Sequence, residues 1–134
     1  MNLPAYLVLI ALVVYSQALT DKQKADISPV DKDCQEKSKI SKKLVDDLFN
    51  HSVSNISEYK NNKALRKYLV CVDTTGGWLN QDGTYDTQAS IKWLKDGGLS
   101  VKKALEAIRK CGVVKETLED TSFNAFMCLY EIGL

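Results

Sequence analysis

Four cysteines constrain this chain more than any other feature: Cys34, Cys71, Cys111 and Cys128, all downstream of an apolar N-terminus. An even, small number of cysteines in a short chain with a secretory start reads as a disulfide framework of two bridges. Sequence spacing leaves all three pairings open. No C-x2-C pair occurs, so a zinc site is a poor reading and no metal or cofactor is called for. A domain of this size buries a limited share of its surface, and covalent staples compensate. The framework points to a stapled helical carrier or ligand rather than an enzyme.

Residues 1–20 carry no charged side chain, and Tyr6 to Tyr15 is an unbroken apolar run. Ser16-Gln17-Ala18 places small residues at both ends of a cleavage triplet, the pattern of a signal peptide spanning residues 1–18. The run falls short of the ~20 apolar residues needed to span a bilayer, which disfavours a membrane anchor. Residues 19–134 are then one secreted domain. The formal net charge is +1 with Lys and Arg scattered among Asp and Glu. No basic field is present for nucleic acid or for an anionic membrane, and no stable membrane insertion is expected.

The patterning is helical throughout. Ser28-Pro29 reads as an N-cap with proline at the first helical position, opening a helix that runs through Cys34 to about Lys39. Asp21 to Ile27 then forms a frayed lead-in. Ser41 caps a second helix with Leu44, Val45, Leu48 and Phe49 on one face. His51 to Tyr59 reads as a loop. Ala64, Leu65, Tyr68, Leu69 and Val72 stripe a third helix that ends at Gly76-Gly77, and Asn80-Gln81-Asp82-Gly83 is a turn signal. A fourth helix covers about Asp86 to Lys95, with Ile91, Trp93 and Leu94, and Gly97-Gly98 closes it. Ser100 caps the fifth, where Val101, Ala104, Leu105, Ile108 and Cys111 follow 3–4 spacing up to Gly112. The last helix, about Asp120 to Glu131, has Phe123, Phe126, Met127 and Tyr130 on one face and Ala125, Leu129 and Ile132 on another, so it is apolar nearly all round and is expected to be the central, buried one. The fold class is therefore all-α, a compact bundle of about six short helices. Such stripes by themselves make a filled core as readily as a pocket.

The cysteine pattern resembles that of the insect odorant-binding and pheromone-binding proteins across the whole mature region. Members typically have six cysteines, the second three residues before the third and the fifth eight before the sixth. Counting back from Cys71 and Cys128 puts the two absent cysteines at Lys67 and Glu119. Those two bond to each other in the family, so their joint loss is similar to the four-cysteine, minus-C subgroup. Tyr68-Leu69-Val70-Cys71 and Cys128-Leu129-Tyr130-Glu131 also look like the family's. The resemblance implies bridges Cys34–Cys71 and Cys111–Cys128, each stabilising by roughly 3–4 kcal/mol through loop entropy. Lys67 and Glu119 then either replace the lost bond with an ion pair, contributing about 0–1 kcal/mol if exposed, or point apart as solvated side chains.

The resemblance further implies an apolar ligand cavity. Its wall, carried over by distance from the matching cysteines, comprises Leu69, Leu79, Trp93, Leu105, Ile108, Ala125 and Leu129, with Ile27, Leu48 and Phe49 added. Thr74, Asp73, Tyr68, Tyr85 and Tyr130 are the polar groups available to orient a ligand, and Asp73 or Thr74 suits an alcohol, aldehyde or amine. The implied function is a secreted, non-enzymatic carrier of small hydrophobic molecules in sensillum lymph or another body fluid. A downstream odorant receptor is a possible partner, and the carrier would be a monomer or weak homodimer. Affinity is expected near micromolar. His51, the sole histidine, reads as a solvated loop residue. Six residues follow Cys128, too few for a C-terminal segment that competes for the cavity, so release is expected to be simple dissociation without a large pH dependence. Asn50-His51-Ser52 and Asn55-Ile56-Ser57 are glycosylation sequons, too close together for joint occupancy. The competing readings are a helical signalling protein acting through its surface and a ligand scavenger in saliva, venom or haemolymph. Catalysis is disfavoured by the single histidine and the absence of nucleophile-elbow and nucleotide-binding motifs.

Overall fold

The structure is a computed structural model that describes residues 19–134. The expected signal peptide lies outside the described residues. Six α-helices follow one another: α1 Asp21–Ser38, α2 Lys42–Phe49, α3 Lys63–Thr75, α4 Thr87–Asp96, α5 Val101–Cys111 and α6 Leu118–Glu131, with a single 3-10 turn, Ile56–Tyr59, between α2 and α3. All six have a side-chain N-cap. Thr20, Ser41, Asn62, Asp86, Ser100 and Thr117 each accept a backbone N–H of the first turn, which satisfies donors a helix start leaves orphaned. The described residues form no strand. One antiparallel bridge, Leu79 to Tyr85, closes the turn between α3 and α4.

The first helix departs from expectation. It starts at Thr20, not Ser28, and Pro29 lies inside it. Thr20 and Gln23 form a capping box, with Gln23 N–H on Thr20 Oγ1 at 3.3 Å and Thr20 N–H on Gln23 Oε1 at 3.0 Å. The same two side chains tie α1 to α4: Thr20 Oγ1 donates to Asp96 O at 2.7 Å and Gln23 Nε2 to Trp93 O at 3.0 Å. Pro29 removes one ladder donor, but Pro29 and Ala25, whose carbonyl loses it, are both exposed. The freed carbonyl is open to solvent, and the N-terminus of the helix is docked on α4.

Helix α3 is central. Leu65 and Tyr68 are almost wholly buried, and α1 and α6 both pack on this helix. A second, smaller core of Leu94, Ala104 and Ala107 joins α4 to α5, and Trp93 packs against both cores. The bridges are Cys34–Cys71, joining α1 to α3, and Cys111–Cys128, joining α5 to α6, with Cα separations of 5.6 and 5.4 Å. Helix α6 is not the all-round buried element its composition suggested. Thr121, Ser122, Phe123 and Ala125 are buried, while Phe126, Leu129 and Tyr130 are only half-buried.

The missing third bridge has a non-covalent successor one residue from the expected place. Lys67 is exposed and does not pair with Glu119. Arg66 does so instead: its Nε donates to Glu119 Oε1 at 2.8 Å, and its Nη2 to Asp120. Its Nη1 reaches Lys60 O at 3.0 Å, and its guanidinium lies 4.9 Å from the Phe123 ring centroid. One residue is about 100° of helix, enough to turn Lys67 outward where Arg66 faces α6. No helix among the described residues is long and apolar enough to cross a membrane.

Candidate ligand cavity

Between the two cores lies a cavity of about 150 Å³. Each of the four long-range walls is one helix face. Leu69, Val72 and Asp73 come from α3, Ser90, Trp93 and Leu94 from α4, Ile108, Cys111 and Gly112 from the end of α5, and Ala125, Phe126, Leu129 and Tyr130 from α6. These are i, i+3 and i+4 positions, which share one side of a helix. Ile27 closes the α1 side and Leu48 and Phe49 the α2 side. Ser90, Ala107, Gly112 and Ala125 are small, and the space they leave open is part of the void. An added Cβ at Gly112 would stand 2.7 Å from Ile108 O, so the end of α5 has no room for a side chain there.

Of the wall residues named from the sequence, Ile27, Leu48, Phe49, Leu69, Trp93, Ile108, Ala125 and Leu129 come together around this space. Leu79, Leu105 and Thr74 do not. Leu79 is 3% exposed but fills the core beneath the Leu79–Tyr85 turn. Leu105 is 38% exposed, because α5 turns Ala104, Ala107 and Cys111 inward and leaves Val101 and Leu105 outside. The Thr74 hydroxyl donates to Val70 O at 2.6 Å, back along its own helix. Val72, Leu94 and Phe126 were visible on apolar stripes, whereas Trp78, Ser90 and Leu134 enter through a turn, a polar position and the chain end, which periodicity does not mark. Leu134 is held by its N–H on Leu129 O at 2.8 Å.

His51 is not the solvated loop residue expected. It lines the cavity, half-buried, and stacks on Tyr130 with ring centroids 4.4 Å apart and planes within 6°. Burial lowers its pKa below the ordinary histidine value. Tyr130 Oη in turn donates to Val53 O at 3.0 Å and accepts from Val53 N–H at 3.1 Å, fastening the α2–α3 loop to α6. Trp78 and Trp93, the only two tryptophans of the chain, both line the cavity, edge to face at 5.0 Å.

The polar point of the wall is Asp73. Ser122 Oγ donates to its Oδ2 at 2.7 Å and Tyr85 Oη to the same oxygen at 3.1 Å. Loss of water around the carboxylate pushes its pKa up to about 6, against the opposing pull of those two hydroxyls. Tyr85 is raised above the ordinary phenol value, first by burial and then by the charge on Asp73. Tyr68 is raised by burial and by its hydrogen bond to Asp31.

The PBP/GOBP family model matches residues 16–132. The chain belongs to the PBP/GOBP family. Its four cysteines in two disulfides fit the minus-C subgroup. No curated protein and no solved structure matches the chain. PBP/GOBP proteins bind small hydrophobic ligands and are binding proteins, not enzymes. In this PBP/GOBP chain the cavity offers apolar walls, two tryptophan faces and one carboxylate. Apolar walls take up a ligand by removing its surface from water, while the carboxylate accepts a hydrogen bond or a positive charge.

Proposed function

We propose that this protein is a secreted carrier that holds one small hydrophobic molecule, an odorant- or pheromone-like volatile, in the cavity between its two cores and delivers it in an extracellular fluid, for chemosensation. Ile27, Leu48, Phe49, Leu69, Trp93, Ile108, Ala125 and Leu129 are the proposed ligand contacts. The observation that carries the reading is the apolar void itself, lined from every helix and bordered by both tryptophans. A dry engineered cavity of about 150 Å³ takes up benzene or xenon, so a ligand of about six to ten non-hydrogen atoms suits a site of this size. Micromolar affinity, about 8 kcal/mol, lies within the span that ~0.3–1.5 kcal/mol per atom allows a molecule of that size.

Because both tryptophans face the cavity, intrinsic fluorescence reports it without a dye. Titration of the oxidised domain with 2-heptanone, a neutral apolar volatile, is expected to change tryptophan emission saturably, with one-to-one stoichiometry in calorimetry. A folded, disulfide-bonded sample that takes up neither this nor a matched set of alcohols, amines and hydrocarbons would defeat the carrier reading and favour a protein that acts through its surface.

A further inference from the structure

Asp73 is the one acidic side chain among the described residues that line the cavity, and only one of its two oxygens receives a hydrogen bond. Both hydroxyl donors, Ser122 and Tyr85, go to Oδ2. Oδ1 accepts no hydrogen bond from any described residue. No lysine or arginine lines the cavity, and none of the ion pairs among the described residues includes Asp73. Asp73 is half-buried, and a carboxylate with its hydration reduced and no counter-charge is costly, a cost that a cation brought to it offsets. Elsewhere in the chain Glu119 pairs with Arg66 and Asp96 with Lys92. Asp73 instead borders the cavity. Aromatic rings border the same space: Trp78, Trp93 and Tyr85. Aromatic faces attract a cation through the ring quadrupole.

We propose that Asp73 is a head-group site within the cavity and that the ligand class it selects is the small aliphatic amine, an apolar body of about six to ten non-hydrogen atoms carrying one protonated nitrogen. The ammonium donates to the free Oδ1, and the hydrocarbon lies against Leu69, Ile108 and Leu129. This rests on the carrier reading above. An anionic ligand is excluded by the same charge, and a ketone, which only accepts hydrogen bonds, leaves Oδ1 unpaired.

The titratable groups around Asp73 are Tyr68 on its own helix and Tyr85 on the following turn, both held neutral well beyond physiological pH. Ser122, on α6, does not titrate. His51, from the α2–α3 loop, is the one group in the cavity wall that gains positive charge on acidification. Protonation of Asp73 as pH falls through about 6 removes its charge, so the preference for an amine is expected to vanish with it, while affinity for a ketone does not follow.

The test is tryptophan fluorescence and calorimetry with a matched set, hexylamine, 1-hexanol, 2-hexanone and hexanoate, on the intact oxidised domain. At about pH 7.5 hexylamine is expected to bind about tenfold or more tighter than 2-hexanone, the scale of a hydrogen bond to a charged group. In Asp73→Asn the ratio is expected to fall to near parity. In the wild type the ratio is expected to collapse between about pH 7.5 and 4.5, the window set by Asp73, and this measurement decides the matter if the variant fails to fold. His51→Asn is expected to retain that collapse. If the collapse is lost in His51→Asn, the proton site is His51 and the assignment to Asp73 is overturned. A wild type that binds 2-hexanone as tightly as hexylamine, or 1-hexanol tightest at every pH, overturns the amine site while leaving the carrier intact. Uptake of none of the set defeats both.

Discussion

At the residue scale, Asp73 ties stability to function. Its pKa is raised in the folded protein to about 6, above the ~3.9 of an unperturbed aspartate. The folded state therefore holds this proton more tightly than the unfolded chain. Ionisation costs stability in full above about pH 6, and the cost is relieved as pH falls toward about 4. Asp73→Asn is expected to stabilise the ligand-free protein at about pH 7.5 by ~1–3 kcal/mol, with the gain shrinking to near zero by about pH 4. Denaturant unfolding at the two pH values checks this, and an equal gain at both would exclude a titrating Asp73 as its origin. The sequence offered Asp73 and Thr74 as equals, adjacent on one helix. They differ by about 100° of rotation, and that angle sends Thr74 to its own backbone and Asp73 to the void. His51 was unreadable for a related reason. A loop position has no periodicity, and its stacking on Tyr130 depends on where α6 ends in space.

At the element scale, helix starts and stops were legible because their chemistry is local. Ser41 and Ser100 cap where expected, and Gly76, Gly97 and Gly112 stand at helix ends. Thr20 with Gln23 three residues on was an equally local signature, but Ser28-Pro29 imitated a start more strongly. What outweighed the proline was the docking of the Thr20 end on α4, through contacts between residues 70 and 76 positions apart. The α3–α6 clamp has the same character. The family resemblance placed the missing bridge at Lys67, but the arginine next to it faces α6 and carries the contact. Arg66→Ala is expected to destabilise by about 1–2 kcal/mol, through its partly exposed ion pairs, cation–π contact and carbonyl bond together. Lys67→Ala should stay within about 0.5 kcal/mol. A double-mutant cycle should return coupling between Arg66 and Glu119 and none between Lys67 and Glu119. Coupling confined to Lys67 would refute the assignment.

At the scale of the whole molecule, two cores face each other across a space that neither fills. Phe126, Leu129 and Tyr130 made α6 look like a buried central helix, yet they are half-buried because they line that space. Filling it tests the link between void and uptake. Ala125→Leu adds three carbons at the wall, and ligand affinity is expected to fall about tenfold or more while helicity persists and stability changes by about 1–3 kcal/mol. Unchanged affinity, read by tryptophan fluorescence, would place the ligand elsewhere. The amino-acid sequence by itself determined the helical periodicity, the caps at Ser41 and Ser100, the glycine stops at Gly76, Gly97 and Gly112, and the four cysteines that point to a stapled small domain, because periodicity and caps are decided within one or two helical turns and cysteines are counted directly. The pairing Cys34–Cys71 and Cys111–Cys128 followed from likeness to a family rather than from spacing. Only the tertiary structure decided which side of each stripe meets protein and which meets empty space. A filled core and a cavity ask for the same apolar residues, and the difference lies in how far apart the helices stand.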